Sequence, residues 1–168
     1  MQAPEVVLED EKDSKDLKGA AAGAKVKIGS FLDGRSSDTL ATIDGREVLT
    51  DGEVGPVVQT GLERQLRAAG ARVSLLKTAT VEGEVVDWRA RISPEFPASS
   101  VVANAKLKVS VRSASGEVVY RATYTGEANK KHPFLSEGDI QGVLGTAMAS
   151  AIEAAIKDKT FLKHLGAT

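Results

Sequence analysis

The chain has 168 residues, 42% of them hydrophobic and 4% aromatic, with 22 Lys+Arg against 23 Asp+Glu for a formal net charge of -1. That length suits one domain, whose core must rest on Val, Leu, Ile and Ala. The balanced charge excludes a global field toward nucleic acid or anionic lipid, and the absence of cysteine excludes disulfides, thiol catalysis and thiolate metal sites.

Residues 1–24 read as a flexible tether, and residues 25–168 as a single α/β domain. Glu5 to Lys18 is a mixed charge cluster, with room for a short strand at Val6–Leu8, and Gly19–Ala24 is small and flexible. "KVKIGSF" from Lys25 alternates as a strand, with Val26, Ile28 and Ser30 on one face. A polar stretch from Ser30 to Val48 follows, with an extended piece expected at Arg46–Thr50. Val54, Val57, Val58, Leu62, Leu66 and Ala69 recur at spacings of three and four, which predicts a helix. Pro56 suits its first turn, and Gly70 its C-terminal stop. "ARVSLLK" from Ala71 predicts a second strand, closing a βαβ unit with parallel strands and a right-handed crossover.

Three longer strands are expected next. "TVEGEVVDWRARI" places Val81, Gly83 and Val85 on one phase and Trp88, Ala90 and Ile92 on the other, which predicts a β-bulge near Val86–Asp87 with Trp88 in the core. "VVANAKLKVSVR" and "GEVVYRATYTG" alternate cleanly around a short turn at Ser113–Gly116, so they predict an antiparallel hairpin. Glu82, Glu84, Lys106, Lys108, Arg112, Arg121 and Thr123 would share the open face and pair across strands there. Apolar residues from Ile140 to Ile156 predict the last helix, capped by Ser136 with Asp139 at its third position. "TFLKHL" would add a final turn. The order β-α-β-β-β-β-α predicts an α+β fold: a two-layer α/β sandwich whose mixed sheet of about five strands is covered by two helices.

Chemistry-bearing residue types concentrate in "SFLDGRSSDTLATIDGREV". Asp33, Arg35, Asp38, Asp44 and Arg46 could build an acid–base cluster or a phosphate clamp, but their spacing matches no GxxxxGK[ST], GxGxxG or calcium-loop pattern. Asp-Gly pairs mark turns, so this stretch reads as a polar connection, and any function it has as partner binding. His132, placed in a turn before the last helix, and His164 lie far apart in the chain and do not suggest a zinc site. No serine sits in a GxSxG elbow. No catalytic, cofactor or metal residue is assigned.

"VKIGSFLDGRSSDTLATI", "GPVVQTGLERQLRAAGARVSLL", "AKLKVSVRSASGEVVYRATYTG" and the Ala-rich last helix together resemble the YajG-type family of small bacterial envelope lipoproteins. The matching parts are Asp33-Gly34-Arg35, Leu62 and Leu66, Gly70, and Gly116, Tyr120, Tyr124 and Gly126, over about residues 25–157. The resemblance implies export, a lipid-modified cysteine and residence at the periplasmic face of the outer membrane. The chain shows neither that cysteine nor an export signal. Removal of such a leader would account for both and make residues 1–24 the spacer from lipid to domain.

The expected function is therefore a non-catalytic, lipid-anchored domain that binds another envelope protein or cell-wall component through the Asp33–Arg46 loop, with no nucleic acid partner. The auxiliary lipoproteins of envelope lipid-transport systems look similar in architecture. They supply the alternative: an accessory that carries a small apolar ligand in a cavity between helices and sheet.

Overall fold

The computed structural model describes residues 1, 4–6, 17–43, 46–50, 52–76 and 78–168. Its elements are β1 (Lys25–Asp33), β2 (Thr39–Ile43), β3 (Arg46–Leu49), α1 (Val54–Ala68), β4 (Arg72–Val73), β5 (Ala79–Ser93), β6 (Ser99–Arg112), β7 (Val118–His132), α2 (Glu137–Lys157) and α3 (Lys159–His164). Among the described residues they form the expected sandwich of helices on a mixed sheet, with seven strands rather than about five and a third, short helix.

The sheet is organised on β5. Its N-terminal half pairs in parallel with β1, from Val26↔Ala79 to Asp33↔Val85, and its C-terminal half pairs in parallel with β2 at Ala41↔Ala90 and Thr42↔Arg91. On its other side β5 pairs antiparallel with β6 over its whole length, and β6 with β7. β4 lies beside β1, and β3 beside β2.

The predicted bulge appears as a register shift between Val85 and Asp87. It turns a strand whose inward residues are Val81 and Val85 into one whose inward residues are Trp88 and Ala90. Trp88 is fully buried, and its indole N–H donates to the Leu144 carbonyl of α2 at 2.8 Å. A second bulge corrects the reading of β1. The register shifts between Ile28 and Phe31, so Phe31 is buried and Ser30 is exposed.

The hairpin of β6 and β7 turns at Ser113–Gly116 as expected, with Ser113 N–H donating to Glu117 O at 2.8 Å. β7 runs on to His132, because β6 offers partners as far as Ser99↔His132. The turn expected around His132 is therefore strand. The outer face carries the expected cross-strand pairs: Lys108 Nζ lies 3.0 Å from Glu84 Oε2, and Arg112 Nε 2.8 Å from Glu82 Oε2. Such half-exposed pairs contribute at most about 1 kcal/mol each.

α1 ends as predicted at Gly70, whose φ of 100° closes the helix in the left-handed region. β4 is two residues long where "ARVSLLK" predicted a full strand, since Leu75 and Leu76 leave the sheet and are 90% and 75% exposed. Ser136 and Asp139 form the predicted capping box on α2. The core closes between the helices and the inner sheet face, where Val58, Leu62, Leu66, Leu107, Val109, Leu144 and Ile152 are all fully buried.

Part of the expected tether packs on this body. Val6, Leu17, Ala21 and Ala24 are buried, Ala21 N–H donates to Ala69 O at 2.9 Å, and Thr168 N–H donates to Ala22 O at 3.1 Å. The strand expected at Val6–Leu8 falls mostly outside the described residues.

β7 packs closely against α2. A Cβ at Gly126 would overlap the backbone at Ala147 and Ala151. Gly126→Ala is expected to destabilise the domain by about 2 kcal/mol through this clash, measured as a lower urea midpoint at unchanged m-value.

Candidate functional site

The polar stretch after β1 divides into a loop and a strand pair. Asp33 ends β1, and Gly34 N–H donates to Val85 O at 3.0 Å, which continues the parallel ladder of β1 with β5. Arg35 then lies across Asp33. Arg35 Nε and Nη2 donate to the two carboxylate oxygens, each at 2.8 Å. The fork matches the carboxylate in charge and shape. Arg35's side chain is 2% exposed and that of Asp33 35% exposed. The guanidinium holds the Asp33 carboxyl below its ordinary value. Arg35 Nη1 is buried with no hydrogen-bond partner among the described residues.

Asp38 lies beside Asp33, and its carbonyl accepts from Thr50 N–H at 3.0 Å. Asp33 and Asp38 line a cleft of about 570 Å³ with Glu53 and the first turn of α1 at Val54, Gly55 and Pro56. β2 and β3 pair antiparallel here, where only an extended piece at Arg46–Thr50 was expected. The β2 residues Leu40 and Ala41 are fully buried. Arg46 pairs with Ile43 at the far end of this strand pair. Asp44 lies outside the described residues. So the structure brings Asp33, Arg35 and Asp38 together and sets Arg46 apart from them.

Among the described residues this arrangement offers no nucleophile with an adjacent base, and Arg35 is already committed to Asp33. Among the described residues, no group of three or more His, Cys, Asp or Glu is placed to hold a metal. What it can do is present carboxylates and turn backbone to a partner.

Two features escaped the reading of residue types. The first is a polar hub at Asp158, which ends α2 and caps α3. Asp158 Oδ1 accepts from Thr160 N–H at 2.8 Å and from Phe161 N–H at 3.3 Å, while Oδ2 accepts from the hydroxyls of Tyr120 at 2.6 Å and Tyr124 at 2.9 Å. The tyrosine hydroxyls foremost hold the Asp158 carboxyl below its ordinary value, and burial raises both tyrosines. The spacing of Tyr120 and Tyr124 was visible; their partner, 34 residues beyond Tyr124, was not.

The second is an apolar cavity of about 430 Å³ at the end of the sheet where β5 finishes. Ile43, Val48, Ile92, Leu135 and Ile140 line it with Met1, whose amino group donates to Leu49 O at 3.1 Å. Phe134 forms part of its wall and is 84% exposed. The only sequence signal was an aromatic residue beside proline in each of two polar loops, at Phe96-Pro97 and Pro133-Phe134.

The fold and loop define a small two-layer domain with a polar loop beside an open cleft and no assembled reaction centre among the described residues. The model of a family described as uncharacterised lipoproteins matches residues 20–165, and the chain belongs to that family, the YajG-type lipoproteins that its motifs resemble. No curated protein matches it. Among solved structures it is similar to protein XCC0632 from Xanthomonas campestris (TM-score 0.57, 8% identity, covering 81% of this chain and 83% of that one). It is also similar to the hypothetical protein CT253 from Chlamydia trachomatis (TM-score 0.52, 8% identity, 88% and 100% covered). A minor lipoprotein from Acinetobacter baumannii aligns at TM-score 0.44 and 11% identity, over 87% of this chain and 92% of that one. At these identities the first two likenesses show a shared fold.

Two predictions test the site's construction. Asp33→Ala leaves a buried guanidinium without its carboxylate and is expected to cost about 3 kcal/mol, most of it recovered in the double variant Asp33→Ala/Arg35→Met; chemical denaturation of the three proteins decides this. The second concerns acid. Asp158 has a native pKa below its ordinary value of 3.8, so its stabilising contribution is complete above 3.8 and is lost as pH falls through the lower native value. Asp158→Asn keeps a capping oxygen but removes that charge. It is expected to flatten the loss of stability between about pH 5 and pH 2, read as urea midpoints across that range.

Proposed function

We propose that this chain is the folded domain of an outer-membrane lipoprotein, facing the periplasm, that acts by binding another envelope protein or a cell-wall component rather than by catalysis. The observation that carries this reading is membership of the lipoprotein family over residues 20–165. Its support in the fold is the Asp33–Asp38 loop. There a buried arginine is spent on bracing a turn, and carboxylates are left lining an open cleft beside the first turn of α1. Bracing of that kind lowers the entropy lost when a partner docks. No helix among the described residues is long and apolar enough to cross a membrane, so a lipid attached ahead of the domain would supply the attachment.

The alternative is an accessory of an envelope lipid-transport system that holds a small apolar ligand. The 430 Å³ apolar cavity favours it. Its position differs from the expected one: it opens at the end of the sheet, while the layer between helices and sheet is filled by fully buried side chains.

The test is to express the full-length gene from its natural start with radiolabelled palmitate, fractionate the envelope, and capture partners with the purified domain. The expected result is a labelled outer-membrane band, plus a captured partner that is lost with Asp38→Lys. An unlabelled cytoplasmic protein would sink the reading. A co-purified lipid in native mass spectrometry, without a captured partner, would favour the alternative.

A further inference from the structure

We infer that the end of the domain carrying Phe96 and Phe134 docks on the phospholipid bilayer, inserting both rings among the lipids. Phe96 is fully exposed and Phe134 84% exposed, where most large apolar side chains in this protein are buried. Both stand on the same end of the sheet. Ser93↔Ser100 closes β5 and β6 below the Phe96 loop, and Ser99↔His132 brings the Phe134 loop alongside. Lys131 Nζ lies 3.1 Å from Glu95 Oε2 and ties the two loops together. Pro94, Pro97 and Pro133 fix backbone torsions in these loops, so the rings are held out on stiff supports.

Three observations select a bilayer over a protein partner. Two projecting rings contribute about 150–250 Å² each, well short of the roughly 800 Å² per partner of a stable protein interface. The two lysines beside the rings are already paired, Lys131 with Glu95 and Lys130 with Asp139 at 2.7 Å, so they offer little field for a charged partner. Met1 lies at this same end, against Leu49. On the lipid-anchored reading, on which this inference rests, a lipid joined ahead of Met1 brings this end to the membrane. The opposite end also exposes apolar residues, Leu75 and Leu76, but it lies beside the start of β5, away from Met1. In the docked orientation the Asp33 loop, level with Val85, stands about 25 Å back from Ser93 at 3.3 Å per residue. It stays open to other partners.

The test uses the whole chain with an N-terminal hexahistidine tag, held on vesicles of phosphatidylcholine containing a few per cent of a nickel-chelating lipid. The tether presents the domain to the bilayer whatever its natural anchor, so this result is separable from the palmitate experiment. Phe96→Trp and Leu75→Trp place reporters at opposite ends. Trp88 is fully buried and gives a constant background. The expected result is that Phe96→Trp emission moves to shorter wavelength on tethering and is quenched by acyl-brominated lipid, while Leu75→Trp does neither. Because insertion is apolar, the shift should persist in 0.5 M salt and be lost when Phe134→Ala is added. No shift at Phe96→Trp, or an equal or larger response at Leu75→Trp, would overturn the inference.

Discussion

The fold depends on one strand serving two sets of neighbours. β5 takes β1 along its first half and β2 along its second, while β6 runs down its entire other side. A regular strand of period two would keep one set of side chains inward throughout. The bulge after Val85 exchanges the sets, so that Val81 and Val85 face the core before it and Trp88 enters opposite α2 after it. The indole then meets the Leu144 carbonyl, a backbone group already inside the helix, and sheet and helix acquire a fixed register. With 4% aromatic residues in the chain, this single large side chain carries much of that alignment.

What was legible in the sequence was whatever repeats. The stripe from Val54 to Ala69, the alternation from Val101 to Arg112 and the box at Ser136 and Asp139 each state their geometry within a few residues. Even the bulge in β5 showed itself, because two apolar phases in one strand leave no other solution. The unread features depend on distant partners. The antiparallel pair of β2 and β3 is short. It becomes strand because the second half of β5 would otherwise present an unpaired edge beside Ala90 and Arg91. β7 extends through "EANKKH", a poor strand sequence, because β6 supplies the ladder. "ARVSLLK" reads well as a strand and mostly is not, since β1 offers it only Lys25 and Val26.

The candidate loop shows the same division. Residue types marked Asp33-Gly34-Arg35 as a turn; in the structure Asp33 still belongs to β1, and Arg35 is the buried partner of its carboxylate. Arg46 shared a window of sequence with Asp33 but belongs to another end of the molecule. Proximity along a chain is weak evidence of a shared site once a strand intervenes. At Asp158 the opposite holds. A carboxylate with no motif around it joins two tyrosines of β7 to the start of α3, fastening the chain's last helix to the edge of the sheet.

The three antiparallel strands have a mechanical consequence. β5, β6 and β7 span 15, 14 and 15 residues and are hydrogen-bonded nearly from end to end. At about 3.3 Å per residue the ladder is close to 50 Å long, and such a slab bends little. With the phenylalanine loops at one tip and the Ser113–Gly116 turn at the other, the domain is a stiff post. Its height above whatever surface holds its base is set by strand length. An inserted pair of residues in a surface loop would leave that height unchanged, whereas two residues added to each of β6 and β7 would raise the far tip by about 7 Å.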